Sequence, residues 1–411
     1  MSSERPLAVF VSDIHLTDQL AGAEIPRAAA FERFWQRIEV ARGHRPATLC
    51  FVGDLFDLVR SPRWFETSHR PFHDPSPGVE AVVTDIVTRT LERESAFFDA
   101  IRGRVQTGAL RVEYVLGNHD RLLRHAPLAR RAVHRALTGE DRDVVFGTEL
   151  ISDEHRVLAY HGNAGDDINY DPDGGATIGD AIGSELITRF PHRVRELTGE
   201  PHPELDDIDD VRPVYAVPAW VRHLGLSRPE LLRPIQRAWL EVVEGFLHDD
   251  FVRDWMKLKH KRFGLDTGKK LRLLLELSTK RVIAKGSDKR LSEAYRVMQH
   301  AFDGRMAELA AKRVARDTRT RFVVNGHSHF AAMRPVGTVD GKPAVYFNTG
   351  TWRAVHQIGH DLKGRPTFLP YDAMSYLVFF PEGDPLGRDY EWWTGALVAT
   401  QRGAHAGPSG S

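Results

Sequence analysis

The chain has 411 residues, of which 42% are hydrophobic and 27% charged, a composition typical of a folded globular protein and too apolar for a disordered one. Lys and Arg together number 56, as do Asp and Glu, so the formal net charge is zero and the overall basic field of many nucleic-acid-binding proteins is absent. The single cysteine, Cys50, excludes an intramolecular disulfide and fits a reducing compartment. Residues 7–11 are too short for a signal peptide's apolar region and no run of 18 apolar residues exists, so we expect a cytoplasmic protein without a transmembrane segment.

The first 165 residues alternate between two kinds of pattern. Short runs rich in Val, Phe and Tyr predict strands at residues 7–12, 48–52, 112–116 and 156–160. Apolar residues at helical spacing predict helices over residues 27–42, 79–102 and 126–138. Strands that alternate with helices in this way predict an α/β fold.

The chain changes character after residue 165. Residues 228–317 have a helical pattern, within which residues 251–290 contain 13 Lys and Arg against 4 Asp and Glu. This basic stretch is either a solvated helical surface or a face for an anionic substrate or lipid. Strand patterns return at residues 321–325, 344–347 and 375–380. We therefore predict an α/β core in two parts, residues 1–165 and 319–402. A mostly helical insertion would occupy residues 166–318, and residues 403–411 would be a disordered tail.

Five short segments place Asp, Asn or His directly after a predicted strand. They are residues 12–15, 53–57, 117–120, 161–163 and 326–329. Ligand sites of α/β sheets gather at the carboxyl ends of strands, so these segments could converge on one point. Imidazole, carboxylate and amide donors together suit first-row divalent metals such as Mn, Fe, Co, Ni or Zn. Seven or eight such ligands exceed what one ion needs and suit two.

The same segments carry the ordered motifs D-x-H, G-D-x-x-D, G-N-H-D, H-G and G-H-x-H. This set resembles the calcineurin-like metallophosphoesterase superfamily over about residues 1–165 and 321–380, with the insertion outside it. The resemblance implies a four-layer α-β-β-α sandwich. It also implies two divalent metal ions, for which manganese is our first choice, and hydrolysis of a phosphate mono- or diester or pyrophosphate by a hydroxide that bridges the ions.

The resemblance assigns a role to individual residues. The first metal ion would be held by Asp13, His15, Asp54 and His329. The second would be held by Asp54, Asn118, His161 and His327, with Asp54 bridging the two. His119 would face the substrate as a proton donor, and Asp120 would orient His119.

The substrate class stays open at this point. The motifs around Asp13 and Asp54 look similar to bacterial UDP-2,3-diacylglucosamine pyrophosphatases, but those usually carry Arg where His119 stands and are much shorter. The second Asp, Asp57, is followed by Leu58 rather than by the Arg-Gly of the Ser/Thr protein phosphatases. We expect a phosphorylated small molecule or lipid precursor, with nucleic acid not favoured and peripheral membrane contact open.

Several residues near these motifs can be explained by a structural role as well as by a functional one. We favour a structural role for Asp57 and for the turn at residues 348–351, and a surface position for Arg353, while Asp166 could line a pocket or simply make a turn. The competing function class is a catalytically silent metal-binding scaffold that uses its insertion to bind a partner. His119 argues against this alternative, because a scaffold needs no proton donor.

Overall fold

The computed structural model describes residues 5–19, 27–212, 214–262, 275, 304–360 and 366–396. Within these ranges the chain forms a mixed α/β structure with two β-sheets and ten helices, which confirms the predicted fold class at this level. The helices are α1 Arg27–Arg42, α2 Pro77–Arg93, α3 Ser95–Gln106, α4 Pro127–Thr138, α5 Ile178–Ala181, α6 Arg189–Thr198, α7 Val217–Ser227, α8 Leu232–His248, α9 Asp250–Arg262 and α10 at 304–316. None of these helices is long and apolar enough to cross a membrane.

The helices form where apolar residues recur on one face and where the flanking residues can start or end a helix. In α1 the buried residues Phe31, Phe34, Trp35 and Ile38 recur at helical spacing and make one face. The predicted helix at 79–102 is two helices, because Glu94 leaves the helical conformation and ends α2 before α3 begins. Ser76 starts α2 by accepting a hydrogen bond from the backbone N–H of Val79.

Twelve strands form the two sheets in the described part of the chain. They are β1 Leu7–Val11, β2 Ala47–Val52, β3 Leu110–Val115, β4 Glu149–Ser152, β5 Val157–Tyr160, β6 Val211–Arg212, β7 Phe322–Asn325, β8 Ala331–Val339, β9 Lys342–Thr349, β10 Ala354–His360, β11 Pro366–Phe379 and β12 Tyr390–Ala396. The first sheet has the order β3-β2-β1-β11-β10-β6, with β12 also paired to β11, and the second has the order β4-β5-β7-β9-β8.

The two sheets pack face to face and carry helices on their outer faces. Ala8 and Phe10 of β1 share one buried cluster with Phe322 and Val324 of β7. The alternate residues of β1, such as Val9, point the other way into the cluster that contains α1 to α4. On the far side, α10 packs its buried residues against β7 and β9 of the second sheet.

The parallel strands bring all five motif segments to one edge. Strands β1, β2 and β3 run parallel in the first sheet, and β5, β7 and β9 run parallel in the second. Their carboxyl ends lead into the segments that begin after Val11, Val52, Leu116, Tyr160 and Asn325. Because carboxyl ends of parallel strands meet at the same edge, these loops lie side by side.

The helical segment after residue 166 has a buried cluster of its own, which includes Trp220, Trp239 and Phe246. Strand β6 joins this segment to the first sheet, since Val211 pairs with His356 and Arg212 with Gln357 of β10. The domain boundaries stay a prediction. Most of the basic stretch at 251–290 and the tail at 403–411 lie outside the described residues.

Candidate metal centre

The loops after the strands hold five ionisable residues in the left-handed region of backbone conformation. Their φ angles run from 52° to 73°, at Asp13, His15, Asp54, His327 and His329. This conformation costs about 1–2 kcal/mol for a residue with a Cβ atom and persists only where the surroundings hold it. All five are predicted metal ligands. Strained backbone is therefore concentrated where the sequence predicts the site.

Two glycines allow these loops to approach each other. A Cβ atom on Gly117 would collide with the Asp54 carboxylate, and one on Gly326 would collide with the Asp13 carboxylate. The close packing of the loops therefore requires glycine at both positions.

A first group of ligand atoms comes from Asp13, His15 and His329. The Nε2 atoms of His15 and His329 are 3.0 Å apart, and His329 Nε2 is 3.3 Å from Asp13 Oδ1. Atoms bound to one ion at about 2.1 Å lie about 3.0 Å apart along an octahedral edge and about 3.4 Å apart along a tetrahedral one. The observed separations fit one coordination shell.

A second group comes from Asp54, His161 and His327. His161 Nε2 is 3.0 Å from Asp54 Oδ2 and 3.1 Å from Asn118 Oδ1, so the amide oxygen of Asn118 joins the group. These separations also match the edge of one coordination shell. The buried His and Asp clusters could therefore hold a metal ion.

Asp54 lies between the two groups. Its Oδ2 atom is 3.0 Å from His161 Nε2 in the second group and 3.7 Å from His15 Nε2 in the first. Both distances start from the same oxygen, because Oδ1 accepts from the His119 backbone N–H, so a single oxygen of Asp54 faces both groups. All seven predicted ligands, Asp13, His15, Asp54, Asn118, His161, His327 and His329, are thus brought together at one edge of the two sheets.

Hydrogen bonds fix the outer nitrogens of two ligand histidines. His161 Nδ1 donates to the Val52 carbonyl at 2.9 Å, and His15 Nδ1 is 3.1 Å from Asp57 Oδ2. Such partners hold the ring so that its inner nitrogen presents a lone pair to a metal.

The pKa values of Asp54 and His161 reflect the close approach of carboxylates and imidazoles in the second group. Burial raises the pKa of Asp54, but His161 and His119 outweigh it and keep that pKa below its ordinary value. Burial lowers the pKa of His161, but Asp54 outweighs it and raises that pKa to about 10. Without a metal, a proton on His161 therefore takes the place of a cation beside Asp54.

His119 stands at the open side of the centre. Its side chain is 18% exposed, against 1% or less for Asp13, His15 and Asp54. The backbone N–H of His119 donates to Asp54 Oδ1 at 2.9 Å, and its Nδ1 is 2.9 Å from Asp57 Oδ1. With Nδ1 engaged, Nε2 is the nitrogen left to meet a substrate.

The prediction that Asp120 orients His119 is wrong, because Asp57 does so. Asp120 is fully buried and accepts from the Tyr114 hydroxyl at 2.6 Å, the Gly117 N–H at 2.6 Å and the Leu55 N–H at 3.0 Å. It therefore ties the loop after β3 to the loop after β2. Burial, helped by Asp54, raises the pKa of Asp120 to about 7.

Three arginines missed as site residues surround the first group. Arg60 binds Asp57 Oδ2 at 2.5 Å, and Arg353 binds Asp209 Oδ2 at 2.6 Å. Arg353 is only 4% exposed, so the predicted surface position is wrong. Arg212, from β6, donates to His329 Nδ1 through Nε at 3.1 Å and Nη2 at 2.9 Å. Burial, with Arg60 and Arg353 nearby, lowers the pKa of Arg212 to about 9, so it is charged at neutral pH.

Two further contacts show what Asp166 and the turn at 348–351 do in the structure. Asp166 makes a turn by accepting from the Ile168 N–H, and its Oδ2 is also 3.1 Å from His327 Nε2. In the turn at 348–351, the Thr351 hydroxyl donates to the Asp13 carbonyl at 2.6 Å. This turn supports the first ligand loop, in line with the structural role favoured for it.

No family model matches the chain, and no curated protein matches it. A function is therefore inferred from the residues of the candidate site and their geometry.

Proposed function

We propose that this protein is a dinuclear metal-dependent phosphoric ester hydrolase of the calcineurin-like metallophosphoesterase type. The observation that carries the proposal is Asp54, whose carboxylate lies between two buried groups that each contain two imidazoles. Two-metal hydrolases hold their ions about 3.5–4 Å apart, which a shared carboxylate can span. The packing of two sheets face to face with helices outside also supports the four-layer sandwich of that superfamily.

Under this proposal the ligands divide as the motifs imply. The first ion would be held by Asp13, His15, Asp54 and His329, and the second by Asp54, Asn118, His161 and His327. Manganese is the proposed metal, with Fe, Zn, Co or Ni as alternatives that the same donors accept. A bound pair of divalent ions supplies a water nucleophile at neutral pH and neutralises charge on the phosphoryl oxygens.

The protein's own residues would position the substrate and move one proton. Asp57 holds His119 Nδ1 at 2.9 Å, which fixes the ring and leaves Nε2 for the substrate. A protonated Nε2 can give its proton to the leaving oxygen, and such general acid catalysis contributes about 10²–10⁴-fold. The Asp54 carboxylate stays ionised because its pKa lies below the ordinary range.

The test is turnover by the purified protein with Mn²⁺ on p-nitrophenyl phosphate, bis-p-nitrophenyl phosphate and pyrophosphate. Asp54→Asn should lose metal at both sites and turnover together. Asp254→Asn, which alters an exposed ion pair with Lys257 on α9, is the matched control and should keep both. Metal binding without turnover on any of these compounds, with any divalent metal, would favour the scaffold alternative. The natural substrate and the cytoplasmic location stay predictions.

A further inference from the structure

The four ligand histidines differ in the partner that one of their ring nitrogens meets. His161 Nδ1 meets a carbonyl, His15 Nδ1 meets Asp57, and His327 Nε2 meets Asp166. All three partners accept hydrogen bonds. His329 is different, because its Nδ1 meets two N–H groups of Arg212.

This contact places hydrogen-bond donors against a nitrogen that must itself donate when His329 binds a metal. A guanidinium has donors and no acceptor, so the His329 nitrogen that it meets must accept. A neutral imidazole that binds a metal through Nε2 carries its hydrogen on Nδ1, which would then point at the N–H groups of Arg212. The Arg212–His329 contact and metal binding by His329 therefore oppose each other.

Arg212 is also held where it is. Its Nη1 donates to the carbonyls of Asp209 at 2.8 Å and Val211 at 2.9 Å, while its backbone pairs with Gln357 in the sheet. Retreat of the guanidinium from His329 therefore means giving up these contacts with the residues at and just before β6. His15 has an arginine nearby too, with Arg60 Nη2 at 3.2 Å from its Nδ1, but Asp57 supplies an acceptor to the same nitrogen.

We propose that Arg212 is a positioning residue of the insertion that weakens the first metal site, so that the two sites have unequal affinity. The second site fills first and holds its ion more tightly. The first site fills only when the guanidinium of Arg212 gives up His329. This inference rests on the proposed dinuclear centre, and it makes occupancy of the first site depend on the position of the insertion.

The test is calorimetric titration of Mn²⁺ into metal-free protein. Outer partners of ligand histidines change metal affinity by about 10–100-fold, so the wild type should show two affinities that differ by about tenfold or more. Arg212→Gln removes the charge and offers an amide oxygen to Nδ1, and it should tighten the weaker site by about tenfold. Arg212→Lys replaces the fixed pair of donors by one flexible ammonium and should tighten it less. Arg253→Gln, which alters an exposed ion pair with Asp250 in the same insertion, should change neither site.

Single-site variants show which residue the effect acts through. His329→Ala should remove the weaker site and His161→Ala the tighter one. In the His329→Ala background, Arg212→Gln should change nothing, because its effect passes through His329. Far-UV circular dichroism of each variant checks folding, and Arg212→Lys carries the test if Arg212→Gln does not fold.

The possible results separate this inference from the proposed function. Two equal affinities in the wild type, or a weaker site that neither Arg212 variant changes, would overturn the role of Arg212 and leave the hydrolase proposal standing. A wild type that binds no divalent metal at all would overturn the proposed function itself.

Discussion

Asp57 connects the candidate metal centre to His119, the proposed proton donor, and its replacement by asparagine is the most informative single change. One oxygen of Asp57 is 3.1 Å from His15 Nδ1, and the other is 2.9 Å from His119 Nδ1. An amide has only one acceptor oxygen, so in Asp57→Asn one of the two imidazoles faces an NH₂ group instead. The substitution keeps the shape of the side chain while it removes one of these two contacts.

The size of the effect follows from what each contact does. A hydrogen bond to a charged group is worth about 1.5–3 kcal/mol, and each 1.36 kcal/mol changes a rate tenfold. If His119 loses its partner, kcat should fall by about 10–100-fold or more with KM little changed. If His15 loses its partner, Mn²⁺ affinity should fall by about 10–100-fold. Arg60 keeps a second carboxylate in Asp209, which limits the loss of stability.

The assay is steady-state hydrolysis of bis-p-nitrophenyl phosphate at saturating Mn²⁺, together with a metal titration. Asp143→Asn, which alters an ion pair with Arg130 on α4, is the matched control and should leave both unchanged. If Asp57→Asn kept wild-type kcat and wild-type metal affinity, Asp57 would not orient either imidazole and this part of the account would be refuted.

Three other predictions concern the loops and the protons of the centre. Asp120→Asn should lower the free energy of unfolding by about 1–3 kcal/mol in urea denaturation, since the two oxygens of Asp120 accept from three buried donors and Asn has only one oxygen, and an unchanged value would contradict the loop-tying role. Gly117→Ala should reduce bound metal, measured by elemental analysis, because its Cβ would meet the Asp54 carboxylate, whereas Gly103→Ala has open space and should keep full metal content. His161, whose pKa Asp54 raises to about 10 despite burial, holds a proton in the metal-free protein below that pH. Metal binding must release this proton, so Mn²⁺ affinity should rise with pH toward 10, and calorimetry in buffers of different ionisation enthalpy should detect at least one proton released. A pH-independent affinity would contradict it.

The sequence predicted the parts of this site that depend on local pattern. Strands such as β1 and β2 are short apolar runs, and residues directly after parallel strands must gather at one edge. The sequence alone therefore places Asp13, Asp54 and His161 together. The partition into β-rich and helical regions follows from the same periodicities.

What the sequence could not predict depends on contacts between distant segments. Asp120 follows His119 directly, yet the turn aims its carboxylate back at Gly117. Neighbouring positions in the chain therefore did not mean that the two side chains are in contact. Asp57 could have been recognised, because it follows the strand in the same motif as Asp54. Arg212 has no such signal, since it lies 117 positions from His329 in a two-residue strand of the insertion.

Anomalous diffraction from crystals grown with MnCl₂ would show whether two ions share Asp54. We expect two anomalous peaks about 3.5–4 Å apart with the Asp54 carboxylate between them. The peak beside His329 should have the lower occupancy at limiting Mn²⁺. A single peak at saturating Mn²⁺, or peaks remote from Asp54, would rule out a pair of ions that share this carboxylate.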